Sequence, residues 1–476
     1  MTFRFPGFRD AHCHPLFAGR EALGPDVTDA TSISEIQQIL ADFIAKNPTA
    51  TWIDCGSYDR NIAGPEGFLA SQIDSVICDI PVVIHASDHH TIWVNSAALK
   101  VAGLADRAPK LEIGSVDVDD SGRPSGVLRE WDAMNLVYVH QPKLTLDEEL
   151  RALDWAQHKL LSLGVVGMQD AWLDPGMELV YLAAVEQDRL LLRTNLAPRI
   201  SPDSATTDFA FAKTVREAVQ NANSELLTCR TIKLFADGVF GSNTAAVKEE
   251  YCNHSSKPFG EPVWEPDALK EMAIAADAAG FQLHIHAIGD AGVSIAIDAI
   301  EAAIDANPTW DRRPVIAHVE LIADEDLLRL QKLGITCVVQ PLWARRDGLS
   351  LSCLPALGEA RFERLYRTRD LLEQGVRVAM GSDWPVSSPD PFLGIYTAAA
   401  RRVDQYSEPL GLGQAITVQQ ALDCYVTEPA RITWQEKHVS EDWVELDLDP
   451  TTVELKQVKE VRVIRASIAG RIYNLS

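Results

Sequence analysis

Apolar and polar positions follow a steady rhythm through most of this chain. From about residue 145 to about residue 380, stretches with apolar residues at three- and four-residue intervals alternate with short apolar runs. The first pattern marks amphipathic helices and the second marks buried strands. The spacing predicts helices over 145–163, 176–188, 208–222, 266–279, 290–304, 324–333 and 361–374. Strands are predicted at 165–170, 191–197, 231–235, 281–286, 315–318, 335–340 and 376–380. Thr145 and Glu148 have capping-box spacing, and Gly164, Gly280, Gly334 and Gly375 follow helices and lead into strands. One more strand opens the chain and runs into His12-Cys13-His14. Eight strands alternating with helices imply a parallel α/β fold, a (β/α)8 TIM-like barrel, with chemistry at the C-terminal strand ends. A doubly wound open sheet is the competing fold.

Two stretches depart from the rhythm. Residues 16–144 predict an inserted α/β lobe: a helix over 34–46, strands at 51–54 and 81–86, a helix opening within 87–96 and running through Leu99, and a Gly/Pro turn in 121–131. Residues 441–448 and 458–473 are strand-like, with Gly470 in a turn. The expected organisation is a first strand in 1–15, the lobe in 16–144, the remaining barrel in 145–435 and a β appendage in 436–476.

The 476 residues are 46% hydrophobic and 23% charged, as in an ordinary globular protein. The net charge of -25 disfavours nucleic acid and anionic membranes as partners and says little about the substrate, which is expected to be a small molecule. Eight cysteines without a C-x-x-C pair read as reduced thiols of a cytoplasmic protein. Neither a signal peptide nor a membrane span is expected.

Strand alternation points His12 and His14 the same way and Cys13 the other way. His286 and His318 end predicted strands, Asp383 follows one, and Lys233 lies on one. Each histidine alone reads more readily as a hydrogen-bonded core or surface residue. Their shared placement on one rim points to a site for zinc or a similar divalent ion. A lysine beside metals should be neutral, and a neutral amine can add carbon dioxide to give a carbamate ligand. The alternative for Lys233 is a packed stem with its head paired to Asp237 or Asp170.

The motifs together resemble the amidohydrolase superfamily, in particular amidohydrolase family 3, which includes N-substituted formamide deformylase-like proteins. The resemblance is carried by Pro6-Gly7-Phe8-Arg9-Asp10-Ala11-His12-Cys13-His14-Pro15, Asp88-His89-His90, Val94-Asn95-Ser96-Ala97-Ala98-Leu99 and Gly122-Arg123-Pro124-Ser125-Gly126. It continues in Lys233-Leu234-Phe235-Ala236-Asp237-Gly238, His286-Ala287-Ile288-Gly289-Asp290, Ala317-His318 and Gly381-Ser382-Asp383-Trp384-Pro385. It implies metal binding by His12, His14, carboxylated Lys233, His286, His318 and Asp383, with two zinc-type ions per chain. The implied reaction is hydrolysis of non-peptide carbon–nitrogen bonds, in an amide or N-substituted formamide, by a metal-bound hydroxide. Asp383 would be general base and then general acid. His90, Asp237, Trp343 and Arg345 are candidate substrate contacts; N-capping is the expected role of Asp290.

Other bonds remain open on the same barrel: a lactone, a phosphoester or a ring amine. A non-catalytic scaffold should have lost ligands, and all six are present here. Family members carry β-structure ahead of the first motif, which pairs with C-terminal strands in a β-sandwich. Here the motif starts at Pro6, so the appendage is expected to be an incomplete β-sandwich with an unpaired edge, one that a homo-oligomer would cover.

Overall fold

The computed structural model describes residues 2–63, 67–86, 89–111, 114–253 and 256–475. Ser87 and Asp88, which belong to the quoted lobe motif, lie outside the described residues. The chain divides into two compact units, 1–14 with 157–476, and 15–156.

In the first unit, β1 (Phe3–Pro6) leads to β2 (Phe8–Cys13). The lobe then supplies β3 (Ile53–Tyr58), β4 (Val82–Ala86), β5 (Thr91–Val94), β6 (Ser115–Val118) and β7 (Pro124–Arg129). Its sheet has the order β3-β4-β5-β7-β6, with β3 and β4 parallel and the other neighbours antiparallel. Alternation puts Val82, Ile84, Trp93 and Val127 into one apolar cluster. Val83, Ile92, Val94 and Leu128 enter a second cluster. The segment expected to open a helix instead forms β5 first. Thr91, Ile92, Trp93 and Val94 are β-branched or aromatic and sit between two strands. The helix starts only at Ser96, behind Asn95. That buried amide accepts from the Ala98 and Val82 N–H groups, both at 3.0 Å, and donates to the carbonyls of Ile77 and Ile80.

Back in the first unit come β8 (Val165–Leu173), β9 (Arg193–Pro198), β10 (Leu227–Thr228) and β11 (Thr231–Phe235). Then follow β12 (Gln282–Ala287), β13 (Val315–His318), β14 (Thr336–Val339) and β15 (Arg377–Met380). These strands pair in parallel and are almost wholly buried, as expected where helices cover a parallel sheet. The predicted helix over 361–374 is two helices, Leu354–Phe362 and Thr368–Glu373, separated by Tyr366 at φ 57°.

Eight strands in barrel order are present, but among the described residues they do not form one closed ladder. With β10 as an additional edge strand they lie in two sheets, β10-β9-β8-β2 and β11-β12-β13-β14-β15. Local chemistry explains both breaks. β10 occupies the edge of β9 at Thr194 and Asn195, so β11 meets that strand's path only at the Arg199–Lys233 bridge. At the other junction, the His12 and Ser382 N–H groups that a ladder would use both donate to Asp10 Oδ1, at 3.1 and 3.0 Å. The link there is made by Asp383 N–H to the His12 carbonyl (2.7 Å) and His14 N–H to the Trp384 carbonyl (2.8 Å).

The C-terminal strands are β16 (Trp443–Leu446), β17 (Val463–Ile468) and β18 (Arg471–Asn474). They form a four-stranded antiparallel sheet in the order β1-β16-β17-β18. Buried Asp442, just ahead of β16, joins this sheet to the parallel strands. It accepts from Arg9 at 3.1 Å, from Arg193 at 2.7 and 3.2 Å, and from Ala469 N–H at 3.0 Å. All three charged side chains are at most 2% exposed. Removing the carboxylate leaves two buried guanidinium groups without their counter-charge. Asp442→Ala should therefore cost roughly 3–5 kcal/mol, read as a fall in the urea midpoint. An unchanged midpoint would show that the triad does not hold the appendage in place.

Candidate metal centre

The C-terminal ends of the parallel strands gather the predicted ligands. His12 comes from β2 and His14 follows it; Lys233 lies on β11, His286 on β12 and His318 on β13, and Asp383 follows β15. Register aligns them: Lys233 pairs with His284, Phe235 with His286, and Ala287 with His318. His12, His318 and Asp383 each offer a ligand atom within 4.8 Å of the other two. Asp383 Oδ1 lies 2.8 Å from His14 Nε2 and 3.2 Å from His12 Nε2. Lys233 Nζ is 3.4 Å from His12 Nε2, and the His286 and His318 rings are 4.4 Å apart. All six predicted ligands thus belong to one contiguous group.

Outer hydrogen bonds fix the rings. His318 Nδ1 donates to Gln340 Oε1 at 2.9 Å, leaving its Nε2 lone pair free of that partner. His286 Nε2 donates to the Gly238 carbonyl at 3.1 Å, which makes Nδ1 its lone-pair nitrogen. His12 Nδ1 bonds His284 Nε2 at 2.8 Å, so its Nε2 faces Lys233 and Asp383. His284 was not among the predicted residues. It stands two places before His286, the same His-x-His spacing that singled out the first strand, and that spacing was the available signal.

Electrostatics favour ligand forms. Burial, with the charge of Lys233, holds His12 and His284 well below the usual imidazole range. Burial and neighbouring His318 do the same to His286, and burial brings His318 down to about 4. Burial lowers Lys233 to about 7 against the pull of Asp383. Burial opposes ionisation of Asp383, yet hydrogen bonds from His12 and His14 hold it well below the usual carboxylate range. Neutral imidazoles, an ionised carboxylate and a readily neutralised amine fit a divalent-metal centre.

The support is built from close backbone approach and strain. Ser382 Oγ donates to Asp10 Oδ2 at 2.5 Å, completing the clasp between β2 and the turn after β15. A Cβ on Gly381 would lie 2.6 Å from the His12 nitrogen. His318, Val319 and Asp383 hold φ at 78°, 46° and 55°. For side-chain-bearing residues this left-handed region is costly, and it persists only where surroundings impose it.

The other predicted residues fall into different settings. Trp343 is buried and its ring stacks on His318, with centroids 5.6 Å apart and planes 4° apart. Asp237 accepts from the Ala246, Ile288 and Gly289 N–H groups, each at 2.9 Å, and lies 3.8 Å from His286 Nε2. Burial raises its carboxyl to about 7 despite these donors. Neither Asp237 nor Asp170 forms an ion pair with Lys233 among the described residues. Asp170 accepts from Tyr181 Oη at 2.7 Å, and the Lys233 ammonium lies over the Phe235 ring. Arg345 donates to Asp347 at 2.7 Å. His90 lies in the lobe, 3.0 Å from Glu130. Asp290 is the first helical residue, behind Gly289 as the cap, and its carboxylate accepts from Lys248 N–H.

A parallel α/β unit with histidines, a lysine and an aspartate at its C-terminal strand ends defines a protein of the metallohydrolase type. The model of the amidohydrolase family matches residues 4–472, and the chain belongs to that family. It is 29% identical to Protein LONG AFTER FAR-RED 3 of Arabidopsis thaliana, over 91% of this chain and 75% of that one. It is 24% identical to the N-substituted formamide deformylase of Arthrobacter pascens, over 98% of this chain and 87% of that one. An uncharacterized metal-dependent hydrolase from Pyrococcus horikoshii shares the fold, with a TM-score of 0.74 at 22% identity, covering 95% of this chain and 88% of that one.

Gly381→Ala should push the turn away from His12 and lower stability by about 1–3 kcal/mol, measured by chemical denaturation. A wild-type midpoint would mean the clasp tolerates the extra methyl group.

Proposed function

We propose that this protein is a metal-dependent hydrolase of non-peptide carbon–nitrogen bonds, acting on a small amide or N-substituted formamide. The observation that carries the reading is the convergence of four imidazoles held by burial or by Asp383, one ionised carboxylate and one buried lysine. The family membership and the deformylase relative support the choice of bond.

His12, His14, His286, His318 and Asp383, together with Lys233 as a carbamate, would hold two zinc-type ions. Lys233 is brought to about 7, so a large share of its amine is neutral at neutral pH. The nitrogen lone pair adds to carbon dioxide, the new N–C bond forms, and one proton is released. When bound, such ions acidify a water and polarise a carbonyl oxygen. Asp383 takes the proton from the attacking water at a carboxylate oxygen and passes it to the leaving nitrogen. His12 Nε2 and His14 Nε2, 3.2 and 2.8 Å from Asp383 Oδ1, would share the ions with that carboxylate. Trp343, flat against His318, presents an apolar wall to the substrate's acyl or N-substituent.

Protein purified without chelator should contain about two zinc-type ions per chain at this centre, and Lys233→Ala should lose them in part or whole. Asp383→Asn should lower kcat on the best amide by about 10²–10⁴-fold. A panel of amides, formamides, lactones, phosphoesters and ring amines tests the bond. Turnover confined to lactones or phosphoesters would overturn the carbon–nitrogen assignment. Equal metal content in wild type and Lys233→Ala would remove the lysine from the ligand set.

A further inference from the structure

The lobe contains a second group of metal-type side chains that the hydrolase reading does not use. Glu21 ends the helix Pro15–Glu21, His85 lies on β4, and His89 follows that strand. Each offers a ligand atom within 4.8 Å of the other two. His89 Nδ1 is 3.4 Å from Glu21 Oε1. The two imidazoles stack with centroids 5.7 Å apart and planes 29° apart. His89 holds φ at 54°, and its N–H bonds the Ala86 carbonyl at 2.9 Å.

The far sides of both rings are already held. His85 Nε2 is 2.7 Å from Asp54 Oδ1, and Gln141 donates to the other oxygen of that carboxylate at 2.8 Å. A carboxylate on the distal nitrogen is the usual support of a metal-ligating histidine, because it fixes the tautomer and orients the ring. Nδ1 is then the lone-pair nitrogen of His85, presently within 3.3 Å of Tyr138 Oη. His89 Nε2 is 3.1 Å from Ser57 Oγ, so its Nδ1 is turned to Glu21. Glu21, His85 and His89 are between 12% and 17% exposed.

We propose that Glu21, His85 and His89 form a second metal site in this protein, for one divalent ion of the zinc class, with Asp54 and Ser57 holding the far nitrogens of the two rings. Two imidazoles and a carboxylate select zinc, cobalt or nickel over calcium and magnesium, which prefer all-oxygen ligands. Three protein ligands leave a fourth position for water. The two carboxylates, Glu21 and Asp54, balance a 2+ charge. The ion would tie the end of the first lobe helix to β4 and to the segment leading into β5.

The test is a zinc titration of full-length protein, stripped with chelator and exchanged into chelator-free buffer, with bound zinc per chain counted after gel filtration. Wild type is expected to bind one more equivalent than Glu21→Gln or His89→Asn. The same decrement should appear on the Lys233→Ala background, which separates this site from the hydrolase centre. Asp54→Asn should keep the equivalent but bind it about 10–100-fold more weakly, a change that a purely structural His85–Asp54 ion pair would not produce. Folded Glu21→Gln and His89→Asn that bind the wild-type number of ions with wild-type affinity would overturn the proposal. If neither variant folds, diethyl pyrocarbonate labelling of wild type with and without zinc reads the same site. Protection of His85 and His89 by zinc supports it, and unchanged labelling overturns it.

Discussion

The Asp10 carboxylate is the constraint on which the candidate centre depends. It is buried, it accepts from the His12 and Ser382 N–H groups, and it takes the Ser382 hydroxyl as well. Burial raises this carboxyl to about 6 in spite of those donors. In return, the strand carrying His12 and His14 is locked to the turn carrying Asp383. A regular ladder would have spent the same N–H groups on backbone carbonyls. It would have set the two strands in register but left the side chains at their ends unclasped. The break between the sheets and the precise meeting of His12, His14 and Asp383 are therefore one feature seen from two sides.

The centre concentrates groups that would be unfavourable apart. Three buried imidazoles and the half-buried ring of His14 gather around a lysine, and among the six candidate ligands only Asp383 carries negative charge. Desolvation resolves most of this by keeping His12, His286 and His318 neutral rather than by pairing charges. Backbone strain at His318, Val319 and Asp383 is stored in the same place. Buried, strained and polar-rich, the region contrasts with the small apolar core of Ala11, Val315, Ala317, Val338 and Ala379 on the same strands.

Much of this was legible in the sequence, for identifiable reasons. Helices such as Asp290–Ala306 and Leu146–Ser162 bury one face, so the spacing of their apolar residues reports them directly. Five of the six candidate ligands fall at or just past strand ends, where residue type and strand boundary coincide, and Lys233 lies within a predicted strand. What stayed hidden depends on side chains acting across distance. Asp10 taking a ladder's N–H groups cannot be seen from its neighbours in sequence, so a closed barrel was the natural expectation. β5 was hidden because its β-branched run is only four residues long and abuts a helix cap. His284 lies inside its strand rather than at the end, so its role behind His12 depends on a contact across strands that its spacing alone does not report. The Glu21, His85 and His89 group joins a helix, a strand and a turn that no periodicity connects.

The Asp442 triad bears on how the chain is made. Arg9 and Arg193 leave the ribosome long before residue 442, and both end almost fully buried against its carboxylate. Until that residue emerges, packing Arg9 means dehydrating a cation with no anion to receive it, and Arg193 has only the exposed Glu225 carboxylate at 4.0 Å. The nascent strands β2 and β9 thus have reason to stay hydrated and unlocked through most of translation. Commitment of the first strand, and of the two histidines it delivers, waits on a carboxylate synthesised more than 400 residues later.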